Sequence, residues 1–151
     1  MKITNEEIMA VKALITKECN TVKFDTIDDL DNFIHSIIED KILKPFAEKQ
    51  NIDYANTPND EIIDNYDTII DLQCMTRDEI WDKLTTFKDF LFMQNEIGLS
   101  ITETAKAIDV PYRTYYKYAT GENSIPAAAM SCMKMLMFIK NNGMLNKWLL
   151  R

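Results

Sequence analysis

The sequence predicts an all-α fold. Its 151 residues include only three glycines and four prolines, and no stretch alternates Val, Ile or Thr with polar residues between turn signals, as strands do. Instead, Ser or Thr followed three residues later by an acidic residue recurs along the chain. Such pairs mark helix starts, because each side chain can bond a free backbone amide of the first turn. With 46% hydrophobic residues, the chain has enough apolar material for a folded core.

Three helices are predicted in the N-terminal half, opening after Thr4, Thr26 and Thr57. Pro45 should end or bend the second helix near Lys44, because proline lacks the backbone donor that a helix needs. Residues 51–58 are expected to form a loop. Each helix has one apolar face, as the helical spacing of its residues indicates. These faces are Ile8, Val11 and Ile15; Leu30, Ile34, Ile37 and Ile38; and Ile62, Tyr66, Ile69 and Ile70.

A longer helix is predicted after Thr76, which pairs with Glu79, and should end at Gly98. Its expected inward residues are Trp81, Leu84, Phe87 and Leu91. We therefore divide the chain into an acidic helical domain, residues 1–75, and a second domain, residues 76–151. The charge distribution agrees with this division. Residues 1–80 contain 8 Lys+Arg and 18 Asp+Glu, a net charge of −10, whereas residues 81–151 contain 9 and 6, a net charge of +3.

The stretch from Leu99 to Gly121 predicts two short helices joined by a tight turn. Ser100 with Glu103 should cap a first helix that spans about residues 101–108. Pro111 interrupts it, and a second helix is expected over residues 112–119, closed by Gly121 in the left-handed conformation. Ala105 is small where helices must cross, and Ile108, Val110, Tyr115 and Tyr118 should face inward. The residues left on the outside are Tyr112, Arg113, Tyr116 and Lys117.

This stretch resembles the helix-turn-helix of the phage repressor and Cro superfamily, the XRE type. The residues that match the pattern of that family are, in order, Ser100, Ala105, Val110, Tyr118, Gly121 and Pro126. The chain departs from the pattern at Asp109, where glycine is usual, at Ile101, where glutamine is frequent, and at Ala119, where glutamate is common. The resemblance implies a Cro-like C-terminal domain whose second motif helix enters the major groove of double-stranded DNA.

If that docking applies, Tyr112, Arg113 and Lys117 face the base edges, and Tyr116 lies beside them. Lys106, Asn123 and Ser124 are then candidate contacts to the DNA backbone. A helix-turn-helix used only as scaffold or for protein docking is the alternative. The total charge of −7 does not exclude DNA binding, because salt screens charges beyond about 8 Å.

The acidic half contains a second candidate surface. Asp60, Asp64, Asp67 and Asp71 recur at spacings that would place four carboxylates along one helix face. This face is either simply solvated or a docking surface for a basic protein partner.

A further apolar segment lies near the C-terminus, where residues 127–140 should form one helix. Its methionine-rich stripe is either ordinary core, since methionine packs adaptably, or a homodimer interface together with Trp148, Leu149 and Leu150. The stripe comprises Met130, Met133, Leu136 and Met137.

The sequence offers no catalytic or metal-ligating set. Glycine-rich, nucleophile-elbow and HExxH motifs are absent, and Asp28, Asp29 and Asp31 lack the glycine and distal glutamate of a calcium loop. His35, the only histidine, is expected on a helix surface. The three isolated cysteines are expected to be reduced and buried. No cofactor is expected.

No stretch reaches the roughly 20 apolar residues of a membrane span, and acidic residues occupy the start of the chain where a signal peptide would be apolar. We therefore expect a cytoplasmic, non-enzymatic regulator of prokaryotic or phage type that represses or autoregulates transcription by binding specific DNA as a dimer. The alternative is a protein-binding inhibitor or antitoxin, including the anti-CRISPR type, whose acidic half binds a basic partner while the helix-turn-helix autoregulates its gene.

Overall fold

The computed structural model of the chain describes residues 1–150, and every regular element over these residues is helical. This confirms the all-α fold. The elements are α1 (Asn5–Cys19), α2 (Ile27–Ile38), a π-helical turn (Glu39–Leu43), α3 (Lys44–Lys49), a 3₁₀ turn (Tyr54–Asn56), α4 (Asn59–Ile62), α5 (Tyr66–Ile97), α6 (Ile101–Ala107), α7 (Tyr112–Ala119), α8 (Ala127–Asn141) and α9 (Leu145–Leu149).

The chain forms two compact units, of which the first spans Met1–Trp81 and the second begins at Asp82. The division lies within α5, as does the predicted boundary at residue 75. The first unit has 8 Lys+Arg and 18 Asp+Glu, and the remaining sequence has 9 and 6. The first unit is therefore acidic and the second basic.

The first unit has one apolar core, and its first two helices begin as predicted. Thr4 and Glu7 form a reciprocal capping box at α1, while the amide of Asp29 donates to Oγ1 of Thr26 at 3.1 Å at the start of α2. Ile8 and Ile37 pack at the edge of the core. Its buried centre includes Val11, Ile15, Leu30, Ile34, Ile38, Ile42, Leu43, Ile62, Ile63 and Ile69.

Pro45 changes the helix geometry without ending the helical path. The α-helical bonding of α2 stops at Ile38, and a wider turn follows in which the amide of Lys44 donates to the carbonyl of Glu39, five residues earlier. Pro45 then lies in the first turn of α3. A wider turn suits this position, because proline cannot donate to the carbonyl four residues before it and its ring clashes there.

The predicted helix after Thr57 is interrupted, which corrects the sequence interpretation. The short helix α4 ends at Ile62, Ile63 is extended with φ −126° and ψ 118°, and α5 begins only at Tyr66. Asn65 explains the break, since its side chain accepts from the amide of Ile3 at 2.9 Å and donates to its carbonyl at 3.0 Å. Ile70, expected to face inward, is 45% exposed.

The helix predicted to begin after Thr76 in fact begins at Tyr66, ten residues before Thr76, and Thr76 is fully buried in its interior. The capping pattern was misleading because it is purely local. In the second unit, α5 buries Phe90, Met93 and Ile97, whereas the predicted Leu91 is 39% exposed. Of the four predicted inward residues, Leu91 is therefore wrong, while Trp81 packs at the edge of the first core and Leu84 and Phe87 are half-buried.

Candidate nucleic-acid interface

The two short helices α6 and α7 have almost the predicted bounds. The amide of Glu103 donates to Oγ of Ser100 at 3.1 Å and starts α6. The carboxylate of Glu103 accepts from the same hydroxyl at 2.9 Å. The predicted cap of α6 by Ser100 is therefore present, and the carboxylate of Glu103 is bonded to the hydroxyl of Ser100. α6 ends at Ala107, and α7 spans Tyr112–Ala119 as predicted.

The turn between the helices is a Schellman motif centred on Asp109. The amide of Val110 donates to the carbonyl of Ala105 at 2.9 Å, and the amide of Asp109 donates to Lys106 at 3.2 Å. Asp109 has φ +56°, in the left-handed region where glycine is favoured and aspartate is tolerated. This is the position where the resembling family usually has glycine, so the departure keeps the backbone geometry.

α7 is fixed in the second unit by its inward tyrosines. Tyr115 is fully buried, and its ring lies 5.3 Å from that of Phe90, centroid to centroid. Tyr118 meets the same Phe90 ring edge-on at 6.3 Å. Burial raises the pKa of the Tyr115 hydroxyl, so it stays protonated and able to donate. Ala105 is buried, and Ile108 and Val110 pack at the edge of this core, as predicted.

The opposite face of α7 is exposed. Tyr112 is 51% and Tyr116 46% exposed, and their ring centroids are 6.0 Å apart. Arg113 and Lys117 are exposed beside them. Over residues 1–150, neither of these two cations forms an ion pair. The four residues predicted to lie on the outside of this helix therefore share one open surface, with two aromatic rings and two available positive charges.

The three predicted backbone contacts are also at the surface. Lys106 lies in the last turn of α6, and Asn123 and Ser124 lie in the segment between α7 and α8; all three are exposed. The amide of Asn123 donates to the carbonyl of Lys117 at 3.1 Å. This bond holds the segment that contains Asn123 and Ser124 against the last turn of α7.

The four aspartates of the acidic half do not share one helix face, contrary to the prediction. Asp60 lies in α4 and Asp64 in the break before α5; only Asp67 and Asp71 belong to α5. All four are exposed. The physical reason is the bonding of Asn65 to Ile3, which interrupts the helix on which the spacing argument depended.

His35 takes part in a polar network of the first unit. Its Nδ1 is 3.3 Å from Oε1 of Gln73, and its Nε2 is 3.4 Å from Oε1 of Glu39. The side chain of Gln73 also donates to Asp31 at 3.2 Å, and the hydroxyl of Tyr54 donates to Glu39 at 2.9 Å. Burial and this bond to Glu39 raise the pKa of Tyr54 to about 12. The network joins α2 to α5 and to the 3₁₀ turn. These side chains therefore hold elements of the first unit together.

Within the described part of the chain, no group of His, Cys, Asp and Glu side chains is arranged to hold a metal ion. No helix among these residues is both long and apolar enough to span a membrane. Cys19 is buried, and Cys74 and Cys132 are half-buried; all three are free thiols.

The methionine stripe of α8 is mainly core. Met133 and Leu136 are buried, and Met130, Met137, Trp148 and Leu149 pack around them. The sequence interpretation missed a second apolar surface on α8, where Met135 is 63% and Phe138 69% exposed. Met135 also borders a cleft of about 320 Å³ near Ile108 and Trp148. The helical periodicity of the sequence could have shown that Met135 and Phe138 lie on a different face of α8 from the buried Met133 and Leu136.

No protein-family model, curated protein or solved structure matches this chain.

Proposed function

We propose that this protein is a cytoplasmic transcriptional regulator of prokaryotic or phage type that binds specific double-stranded DNA and acts by occupancy without catalysing a reaction. The observation that supports the proposal best is the exposed face of α7, with Tyr112, Arg113, Tyr116 and Lys117 side by side. It is presented by a helix whose other face is fixed in the core through Tyr115. Repression or autoregulation would follow from occupying an operator.

The size of α7 suits a major groove. Its eight residues correspond to a length of about 12 Å at a rise of 1.5 Å per residue, and the groove is about 12 Å wide. The Schellman turn at Asp109 supports this role, because it sets the direction of α7 relative to α6 without a flexible linker. A short helix held rigidly at both ends is suited to reading base edges.

The charged residues of α7 supply two kinds of contact. Arg113 can donate two hydrogen bonds to guanine, a contact that contributes about 1–3 kcal/mol of discrimination. Lys117, one turn later, can contact a base edge or a phosphate. Lys106, Asn123 and Ser124, all exposed, are the proposed backbone contacts. The basic balance of the sequence from Asp82 onward, 9 Lys+Arg against 6 Asp+Glu, is favourable for a polyanionic partner.

A homodimer would double this small contact set. Paired motifs read half-sites about 34 Å apart, and the exposed Met135 and Phe138 on α8, together with Leu150, 86% exposed, are apolar side chains available for a second copy. Trp148 and Leu149 lie mainly in the core, so the proposed interface centres on α8. Sedimentation should then give a dimer at micromolar concentration that Met135→Ser with Phe138→Ser converts to a monomer. A monomer in the unmutated protein at that concentration would contradict the interface.

The DNA proposal is tested with the full chain and a random library of duplex DNA. We expect a common sequence to be enriched, and binding to it to fall steeply as salt rises, because bound cations on the DNA are released. Arg113→Ala with Lys117→Ala should weaken binding by at least tenfold. The matched control is Lys83→Ala with Lys88→Ala, which removes two exposed cations of α5. Equal losses in both variants would point to unspecific charge attraction, and no enrichment would contradict the proposal.

The second candidate function is binding of a basic protein by the first unit, as in an inhibitor or antitoxin. It is favoured by the excess of 18 Asp+Glu over 8 Lys+Arg in that unit and by the exposure of Asp60, Asp64, Asp67 and Asp71. Changing these four to asparagine in the full chain should abolish co-purification of a specific partner from native cells. Neutralising Glu18, Glu48, Asp82 and Asp89, which are also exposed, is the control and should preserve it.

A further inference from the structure

The outward surface of α7 is divided into two parallel rows. Tyr112 and Tyr116 are four residues apart and form an aromatic row, and Arg113 and Lys117, at the same spacing, form a basic row beside it. Residues four apart on a helix are neighbours on its surface. The tyrosine rings confirm this, since their centroids are 6.0 Å apart and their planes are inclined by 31°.

The aromatic row leaves apolar surface open to solvent in the middle of a candidate DNA-binding face. About half of each tyrosine side chain is exposed, although the rings contact each other. Exposed apolar area gains free energy when a partner covers it with apolar atoms. Among the base edges of the major groove, the only apolar group is the 5-methyl group of thymine.

The spacing of the rings suits neighbouring base pairs. Successive base pairs rise by about 3.4 Å, so rings 6.0 Å apart span slightly less than two steps. Two methyl groups on adjacent or alternate pairs can therefore each meet one ring. The adjacent basic row has the charge that attracts the duplex, which makes DNA the occupant that matches both rows.

We propose that Tyr112 and Tyr116 make this protein select thymine at the positions beneath α7, through contact of their rings with the 5-methyl groups. The inference rests on the proposed DNA binding and adds the base preference and its chemical cause. The rings read the methyl groups of thymine, while Arg113 keeps its proposed contact to guanine and Lys117 its contact to a base edge or a phosphate.

The test uses the duplex enriched from the random library and a second duplex in which deoxyuridine replaces every thymidine of the bound site. This replacement removes only methyl groups and keeps all base-pair hydrogen bonds. Binding of the full-length protein to both duplexes is measured by fluorescence anisotropy. Burial of one such carbon is worth about a fourfold change in affinity. We expect the deoxyuridine duplex to bind about four- to fifteenfold more weakly.

Variants assign the effect to the rings. Tyr112→Phe with Tyr116→Phe should keep the preference for the methylated duplex, because the rings remain. Tyr112→Ala with Tyr116→Ala should bind both duplexes equally. Phe92→Ala, which removes an aromatic ring that is 61% exposed on α5, should keep the preference, and circular dichroism checks that each variant is folded.

Three results would overturn the inference. The first is equal binding of both duplexes by the unmutated protein, and the second is an alanine variant that keeps the full preference; either result removes the assignment to the rings while leaving DNA binding intact. Failure to enrich any duplex would instead remove the proposed function and the inference together.

Discussion

The hydroxyl of Tyr115 donates to Oε1 of Gln94 and so joins α7 to α5 inside the second unit. The amide nitrogen of Gln94 donates in turn to the carbonyl of Leu99 at 2.8 Å and to Oγ1 of Thr104 at 3.1 Å. Thr104 is fully buried and passes its own hydrogen to the carbonyl of Ser100 at 2.8 Å. One glutamine therefore connects α5, α6 and α7.

Substitutions of Tyr115 and of Gln94, the two partners of this hydrogen bond, should lower the free energy of unfolding by different amounts. Tyr115→Phe deletes one hydrogen bond and should lower the free energy of unfolding by about 1 kcal/mol. Gln94→Leu should lower it by about 2–4 kcal/mol, because the buried hydroxyl of Tyr115 loses its bond to Oε1 while the carbonyl of Leu99 and Oγ1 of Thr104 lose their donor. Urea unfolding followed by circular dichroism measures both. If Gln94→Leu costs no more than Tyr115→Phe, the cluster contributes little to the packing of α7.

Gly121 should tolerate alanine less well than Gly98. Both have positive φ, +78° and +76°, so alanine is strained at either position by about 1 kcal/mol. At Gly121 the added Cβ would also lie 3.3 Å from the ring of Phe87, whereas at Gly98 nothing lies within 4 Å. Gly121→Ala should therefore unfold at lower urea than Gly98→Ala. Equal midpoints would mean that Phe87 moves aside without cost.

Asn65 should be essential to the stability of the first unit. Its amide group exchanges two hydrogen bonds with the backbone of Ile3, at 2.9 and 3.0 Å. Asn65→Ala leaves both backbone groups without these partners and should cost about 2–3 kcal/mol. Asn65→Asp keeps the acceptor for the amide of Ile3 but places a carboxylate oxygen against the carbonyl of Ile3, so it should also destabilise the first unit. Thermal unfolding gives the comparison, and an unchanged melting temperature for Asn65→Ala would contradict this role.

The helix-turn-helix geometry could be predicted because its signals are local. Ser100, Asp109 and Gly121 act on their own caps and turns, and the alternation of buried Tyr115 with exposed Tyr116 follows from the period of one short helix. The break before α5 could not be predicted. It depends on Asn65 meeting Ile3, a partner 62 residues away, and no local pattern contains such a pair.

The exposure of Leu91 has a related cause. Leu91 and Phe90 are both apolar, and it is Phe90 that packs in the core, where it meets Tyr115 and Tyr118 of α7. The prediction for Asp60, Asp64, Asp67 and Asp71 failed for a similar reason. Their spacing places them on one helix face only if the helix is continuous. Periodicity in the sequence therefore located the helices better than it located their contacts.

Cys19 should be the least reactive of the three thiols. It is 4% exposed, and burial raises its pKa to about 11 from 9.0. At pH 8 only about a thousandth of a thiol with this pKa is the reactive thiolate. In the native protein, Cys74 and Cys132, which are half-buried, should be alkylated by iodoacetamide first, and mass spectrometry of peptides identifies the modified residues.

The same pKa predicts how stability responds to alkali. The folded state holds the proton of Cys19 more tightly than the unfolded state, whose thiol titrates near 9.0. The resulting contribution to stability is complete below about pH 9 and is lost as the pH rises through about 11. Cys19→Ala should therefore show a shallower fall of melting temperature between pH 9 and 11 than the unmutated protein. Melting temperatures that fall in parallel for the two proteins would contradict a raised pKa at this buried thiol. In the alkylation experiment, labelling of Cys19 before Cys74 and Cys132 at pH 8 would contradict it as well.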